Sequence, residues 1–396
     1  MKTVKKNKYI TVLTCSIRTI ALLCSTGPVM QAFLSSLGFS SELIYIHTTV
    51  VQTMNVIVIF LCSQWADNGN IIKRTALVEI PYAALYLCFL PICLWKSNSI
   101  ETFLILTGVS ALQSVALALY TVCDYKLPYY IYLPEDYGEV LAVSGIISAL
   151  LSLGAGILIS WFAQFVSYNY LMLVASIASA FLMGVSALLH YMHEPIEKEK
   201  LAPRLDENKD KSKVTIYRII RYPVFTRLIP ANLFRGFCYG TMTVMATIAL
   251  ELGYGTDIAT ALVTVQSAAM LIGCVLFGFC VHKFHPKKMI FVGSLTFILL
   301  PLVLVRNNVI FLTVFAVTYL GRTLVDYGVP AYLRIAVPVE IAGPYNAWRM
   351  ILHNGGTLIA TAIAALIPVE CLLVATMVMQ IVSGLNYYMF KKTQET

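Results

Sequence analysis

The chain is short of charge. Asp, Glu, Lys and Arg make up 12% of its 396 residues, about half the share of an ordinary soluble domain. That is too little polar cover for a chain of this length folded in water. It excludes a disordered protein, a basic nucleic-acid binder and most soluble enzymes. The ten cysteines contain no C-x-x-C spacing, which argues against a clustered zinc site or a disulfide scaffold, so no metal and no other cofactor is expected. No G-x-x-x-x-G-K-[ST] occurs, so a nucleotide-driven pump is not indicated. Sustained two-residue alternation is lacking too, which argues against a transmembrane barrel.

What is present is apolar. Residues of the AVILMFWYC set reach 59%, and the mean hydropathy is +0.78. A bilayer core needs roughly 20 apolar residues per helix. Scanning on that scale predicts twelve spans, at about 9–35, 43–64, 75–95, 102–126, 140–163, 168–190, 226–250, 258–281, 289–306, 308–334, 347–367 and 369–390. The first is read as an uncleaved span. Arg18 interrupts it and it runs to about Leu34, beyond the roughly 7–15 residues of a signal-peptide core.

Residues 191–221 break the pattern with a dense run of Lys, Arg, Asp and Glu. This linker separates residues 1–190 from 222–396, six spans on each side. Lys and Arg exceed Asp and Glu by 28 to 20. The excess gathers at the N-terminus, Lys73–Arg74, the linker, Lys283–Lys288 and Lys391–Lys392, while the opposite loops hold little beyond Lys96 and Arg306. By the positive-inside rule both termini and the linker face the cytoplasm. A cell-membrane protein, solvated by lipids and monomeric, is expected.

The halves repeat. Thr121-x-x-Asp124-Tyr125-x-x-Pro128-x-Tyr130 recurs as Thr323-x-x-Asp326-Tyr327-x-x-Pro330-x-Tyr332, and Leu37-Gly38-Phe39-x-Ser41-Glu42 recurs as Leu252-Gly253-Tyr254-x-Thr256-Asp257. Internal repeats about a linker mark transporter folds. Twelve spans, a basic central linker and a six-plus-six repeat resemble the major facilitator superfamily over essentially the whole chain. Ser63-Gln64-Trp65-Ala66-Asp67-Asn68-Gly69-Asn70, followed by Lys73 and Arg74, is similar to that family's loop between spans two and three. It keeps the Asp and lacks both glycines and the first Arg. The resemblance implies an all-α membrane protein of two pseudo-symmetric six-helix bundles, with Asp67 as a cytoplasmic gating residue. It also places spans one, four, seven and ten around a central cavity.

Charges inside spans cost roughly 2.5–3.5 kcal/mol each on insertion scales, so those that are kept invite a reason. Arg18 lies in span one, Asp124 in span four, Arg235 in span seven, and Arg322 and Asp326 in span ten. With Tyr125 and Tyr327 they read either as a substrate-binding and coupling set or as ion pairs that hold helices together. Tyr120 stands where the second half has Arg322, so the set should be lopsided in charge. Asp124 and Asp326 are the protonation candidates. Glu79 reads as an interfacial carboxylate near the start of span three, and His353 as a packing residue.

The expected function is secondary active transport by alternating access of a small polar or charged organic solute, an organic anion or a sugar-like molecule, coupled to an ion such as the proton. A drug or metabolite exporter of the same fold and a non-transporting receptor are the alternatives. An enzyme is not expected: the Tyr-Asp and Gly-x-Gly-Asp pair of intramembrane aspartyl proteases does not occur. The topology is testable with single cysteines in a Cys-free background. A membrane-impermeant thiol reagent applied to intact cells should label Asn98→Cys and spare Lys200→Cys; the reverse pattern would overturn the orientation.

Overall fold

A computed structural model describes residues 2–25, 27–62, 70–95, 98–124, 127–132, 134–196, 223–280, 283–336 and 342–390. Among these residues every regular element is a helix. In chain order they are α1 (Lys2–Ser25), α2 (Pro28–Ser36), α3 (Ser41–Cys62), α4 (Ile71–Leu87), α5 (Phe89–Trp95), α6 (Ile100–Asp124), α7 (Pro128–Ile131), α8 (Pro134–Phe162) and α9 (Tyr168–Tyr191). There follow α10 (Pro223–Thr243), α11 (Met245–Glu251), α12 (Thr256–Cys280), α13 (Pro286–Leu295), a 3₁₀ segment (Thr296–Val305), α14 (Asn308–Ala336), α15 (Ala342–Ala364) and α16 (Val369–Met389).

Ten of the described helical stretches are long and apolar enough to cross a membrane, and the broken pair of α10 and α11 makes an eleventh. Helix α15 has 23 residues, long enough for a span. Its Asn346, Arg349, His353 and Asn354 make it less apolar than the others. With it the architecture accommodates the twelve-span reading. The predicted single run at 289–306 is two pieces, α13 and the 3₁₀ segment, which contains Pro301. Proline removes a backbone donor and crowds the preceding turn, so a tighter helix replaces the α-helix there. Phe297, Leu300 and Val303 are its buried residues, one per three-residue turn.

By contact the chain forms two compact units. One comprises Met1–Ile196 with Thr243–Leu271, the other Glu197–Met242 with Ile272–Thr396. In the first unit α4 packs on α9 and α6, α1 on α8 and α9, and α3 on α6. In the second unit α13 packs on α14 and α16, and the 3₁₀ segment lies against the same two helices.

The first repeat has a shared geometry. Gly38 and Gly253 have φ of 90° and 88°, in the left-handed region that glycine adopts without Cβ strain. At each, two backbone bonds close the helix end. Gly38 N–H donates to Ser35 and Phe39 N–H to Leu34, as Gly253 N–H does to Leu250 and Tyr254 N–H to Ala249. This is the Schellman closure, which satisfies carbonyls that the helix leaves open. The second repeat is alike too: Thr121 and Thr323 each bond back to the carbonyl four residues earlier, Leu117 and Tyr319.

In the second unit, α10 and α15 approach to backbone contact. A Cβ at Gly236 would overlap the His353 carbonyl, and one at Gly356 would overlap the Leu233 carbonyl. Gly108 in α6 has open space at the same position. Gly236→Ala and Gly356→Ala should therefore each cost about 1–3 kcal/mol through overpacking, read as a lowered melting temperature of the purified protein. Gly108→Ala should be neutral or mildly stabilising.

Candidate functional site

Each unit contains a cluster of charged and aromatic side chains around an aspartate of the second repeat. In the first, the central carbon of the Arg18 guanidinium of α1 lies over the Tyr120 ring of α6, 3.2 Å from its centroid. A cation over a ring face gains from the ring quadrupole, most when water is excluded. The Tyr120 hydroxyl donates to Asp124 Oδ1 at 3.2 Å and lies 3.2 Å from His190 Nε2 of α9. Among the described residues no ion pair joins Arg18 to Asp124; the tyrosine stands between them. Tyr120 is buried and Asp124 exposed.

Glu79 departs from its expected place. Helix α4 begins at Ile71, earlier than the predicted span, so Glu79 falls two turns inside the helix and is fully buried. It accepts from Ser186 at 3.0 Å, and its Oε1 lies 3.7 Å from His190 Nε2. The contact was not legible because its partner is 111 residues away in the chain and both lie in apolar runs.

In the second unit the carboxylate of Asp326 is gripped from two sides. Arg235 of α10 donates to Oδ1 at 2.7 Å. Arg322, one turn before Asp326 on α14, donates to Oδ2 at 3.4 Å. The Arg322 guanidinium is also packed among rings, 3.7 Å from the Tyr239 centroid and 4.7 Å from that of Tyr319. Tyr120 and Arg322 thus play one geometric part, since each binds the aspartate four residues on. One is neutral and the other cationic, so the second cluster has two guanidinium groups on one carboxylate.

Beside it is a small cavity of about 10 Å³, lined by Arg235, Cys238, Tyr239, Arg322, Asp326 and Gln380 among others. That is near the size that holds one water. Arg235 Nε and Gln380 Oε1 are buried with no hydrogen-bond partner among the described residues. His353 packs edge-on against Tyr239, 5.2 Å between centroids, while its backbone touches Gly236. Tyr327 lies against Phe277 at 5.6 Å, away from the lining of this cavity. Tyr125 and Asp67 lie outside the described residues.

The Major Facilitator Superfamily model matches residues 10–361. The chain belongs to that superfamily. It is accordingly a membrane transporter-family protein and not an enzyme. Solved structures with the same fold include a D-xylose-proton symporter, at a TM-score of 0.73 and 12% identity, covering 98% of both chains. A bacterial homologue of the iron transporter ferroportin matches at 0.64 and 13%, also over 98% of both chains. The nucleoside transporter NupG matches at 0.65 and 10%, over 96% of this chain and 98% of its own. Among curated proteins none matches in sequence. At these identities the likeness concerns the fold.

The geometry of the second cluster has a measurable consequence. Removing the carboxylate alone leaves two buried guanidinium groups facing each other, so Asp326→Asn should destabilise the folded protein by up to about 3 kcal/mol, at the low end of the range for broken buried pairs because Asp326 keeps 30% exposure. Arg235→Gln/Asp326→Asn should recover part of that loss. Thermal unfolding of the two variants in detergent checks it; equal melting temperatures would mean that the charges are not coupled.

Proposed function

We propose that this superfamily member is a secondary active transporter for a small polar organic solute that carries an anionic group, working by alternating access and coupled to an ion. The observation that carries the reading is the arginine excess around Asp326. Arg235 and Arg322 share a single carboxylate, and a cavity with unsatisfied polar atoms adjoins them. A planar guanidinium can grip a carboxylate or phosphate through two parallel hydrogen bonds. A solute anion could replace Asp326 at one arginine without leaving a buried cation unpaired.

In this reading Arg235, Arg322 and Asp326 bind the anionic group, with Tyr239 and Gln380 as further polar contacts. Arg18, Tyr120 and Asp124 form the coupling side. Tyr125 is a further solute contact and Asp67 a gating residue, whereas Tyr327, set against Phe277, is outside the lining of this site. The repeat units are residues 1–190 and 222–396, and the linker and both termini face the cytoplasm of the plasma membrane. The protein works as a monomer among lipids.

A thermal-shift screen of purified protein against organic acids, sugar phosphates, sugars and amino acids identifies the solute, because a ligand of the folded state raises its apparent stability. With the stabilising compound in hand, Arg322→Lys separates the readings. Lysine keeps the charge and loses the planar fork. If Arg322 binds solute, its replacement should weaken affinity about tenfold or more, a loss of at least about 1.4 kcal/mol, with little change in melting temperature. A lowered melting temperature with unchanged affinity would assign Arg322 to structure alone.

A further inference from the structure

Two titratable side chains are buried together in the first unit, and the anion site makes no use of them. Glu79 on α4 has 0% exposure and His190 on α9 has 3%. Ser186 satisfies Glu79 Oε1, whereas Glu79 Oε2 and His190 Nδ1 have no hydrogen-bond partner among the described residues. Burying a lone carboxylate is expensive. Helix packing alone would be served as well by an apolar pair, and such replacements are often stabilising.

Arg18 and Cys15 face the pair from α1, Tyr82 from α4 itself, and Tyr120 and Asp124 from α6. His193 stacks on His190 at 5.3 Å just beyond α9. Helix α2 has no titratable side chain and α5 only Cys93. Burial pushes the His193 ring down to about 4, so it is neutral near pH 7. Its ring nitrogens lie beside the His190 carbonyl and the Thr11 hydroxyl. Arg18 and ionised Asp124 cancel. Glu79 and His190 together are then neutral when they hold one proton between them, on either residue. Without it a bare carboxylate is left, with Arg18 nearby.

We propose that Glu79 and His190 form a one-proton site that exchanges with solvent through the Tyr120 hydroxyl and Asp124. Asp124 is exposed, and Tyr120 Oη lies 3.2 Å from both Asp124 Oδ1 and His190 Nε2. The transfer balances. Protonated Asp124 donates to Tyr120 Oη while the Tyr120 hydroxyl proton passes to His190 Nε2. Asp124 is left ionised, Tyr120 neutral and His190 cationic beside ionised Glu79. Moving the same proton on from His190 Nε2 to Glu79 Oε1 gives the neutral pair. The site and its route are properties of this unit alone. Their role as the coupling site rests on the transport reading above.

The test reads protons and needs no solute. Infrared difference spectra of the purified protein in detergent, taken between about pH 5 and pH 9, report the C=O stretch of protonated carboxyls. A titrating band should be present in the parent protein and absent in Glu79→Gln, which retains an acceptor for Ser186. His190→Gln should move its midpoint by about one pH unit or more, because coupled groups titrate jointly. After a rapid pH jump, Tyr120→Phe should slow the band's appearance about tenfold or more. If Glu79→Gln fails to fold, carbodiimide labelling of the parent protein and mass mapping of Glu79 against pH replace that comparison. No titrating Glu79, or a midpoint indifferent to His190→Gln, overturns the one-proton site. An unchanged rate in Tyr120→Phe overturns the route. Neither result depends on whether the protein transports.

Discussion

A guanidinium in an apolar medium cannot be left facing hydrocarbon, and it cannot shed its proton. Its flat face and its N–H edge need different partners. Here the faces are met by tyrosines: Arg18 by Tyr120, and Arg322 by Tyr239 and Tyr319. The edges of Arg322 and Arg235 are met by Asp326. Much of each cluster follows from this. Tyr120, with its ring face committed to Arg18, meets Asp124 and His190 through its hydroxyl and packs edge-on against the His190 ring. Arg322, held among rings, has little freedom beyond one turn of its own helix.

The two clusters diverge at a single exchange of residue type. A hydroxyl can accept and donate, so the position held by Tyr120 can connect titratable neighbours. A guanidinium only donates, so the position held by Arg322 can attract an anion but cannot relay a proton by the same means. On the proposed functions, one repeated helix turn serves proton exchange in one half and anion binding in the other. The shared hydroxyl back-bonds of Thr121 and Thr323 keep the two turns comparable while their chemistry differs.

The long apolar runs made the helical class and most spans readable, since 20 residues without charge have few other uses. The repeats were readable because they put the same side chains at the same spacing. The structure gives them matching Schellman closures and matching threonine back-bonds. The Arg18–Tyr120 stack was hidden, because charge alone points an arginine towards Asp124 and says nothing of ring faces. Glu79 was misplaced because hydropathy starts the third span where charge ends, whereas Asn70 caps the helix earlier by accepting from Lys73 N–H. The pairing of Glu79 with His190 depends on how α4 packs on α9, which periodicity in either helix does not encode. The 3₁₀ segment was invisible to a hydropathy scan that assumes one rise per residue.

That segment has a further geometric meaning. Ten residues at about 2.0 Å each reach roughly 5 Å further than the same ten in an α-helix. With the ten residues of α13 the stretch reaches roughly 35 Å, against about 30 Å for a bilayer core. With three residues per turn, Phe297, Leu300 and Val303 stand in one straight file parallel to the axis, where an α-helical stripe would wind away. The segment therefore buries a single straight edge along its whole length, where the same ten residues in an α-helix would bury a winding stripe.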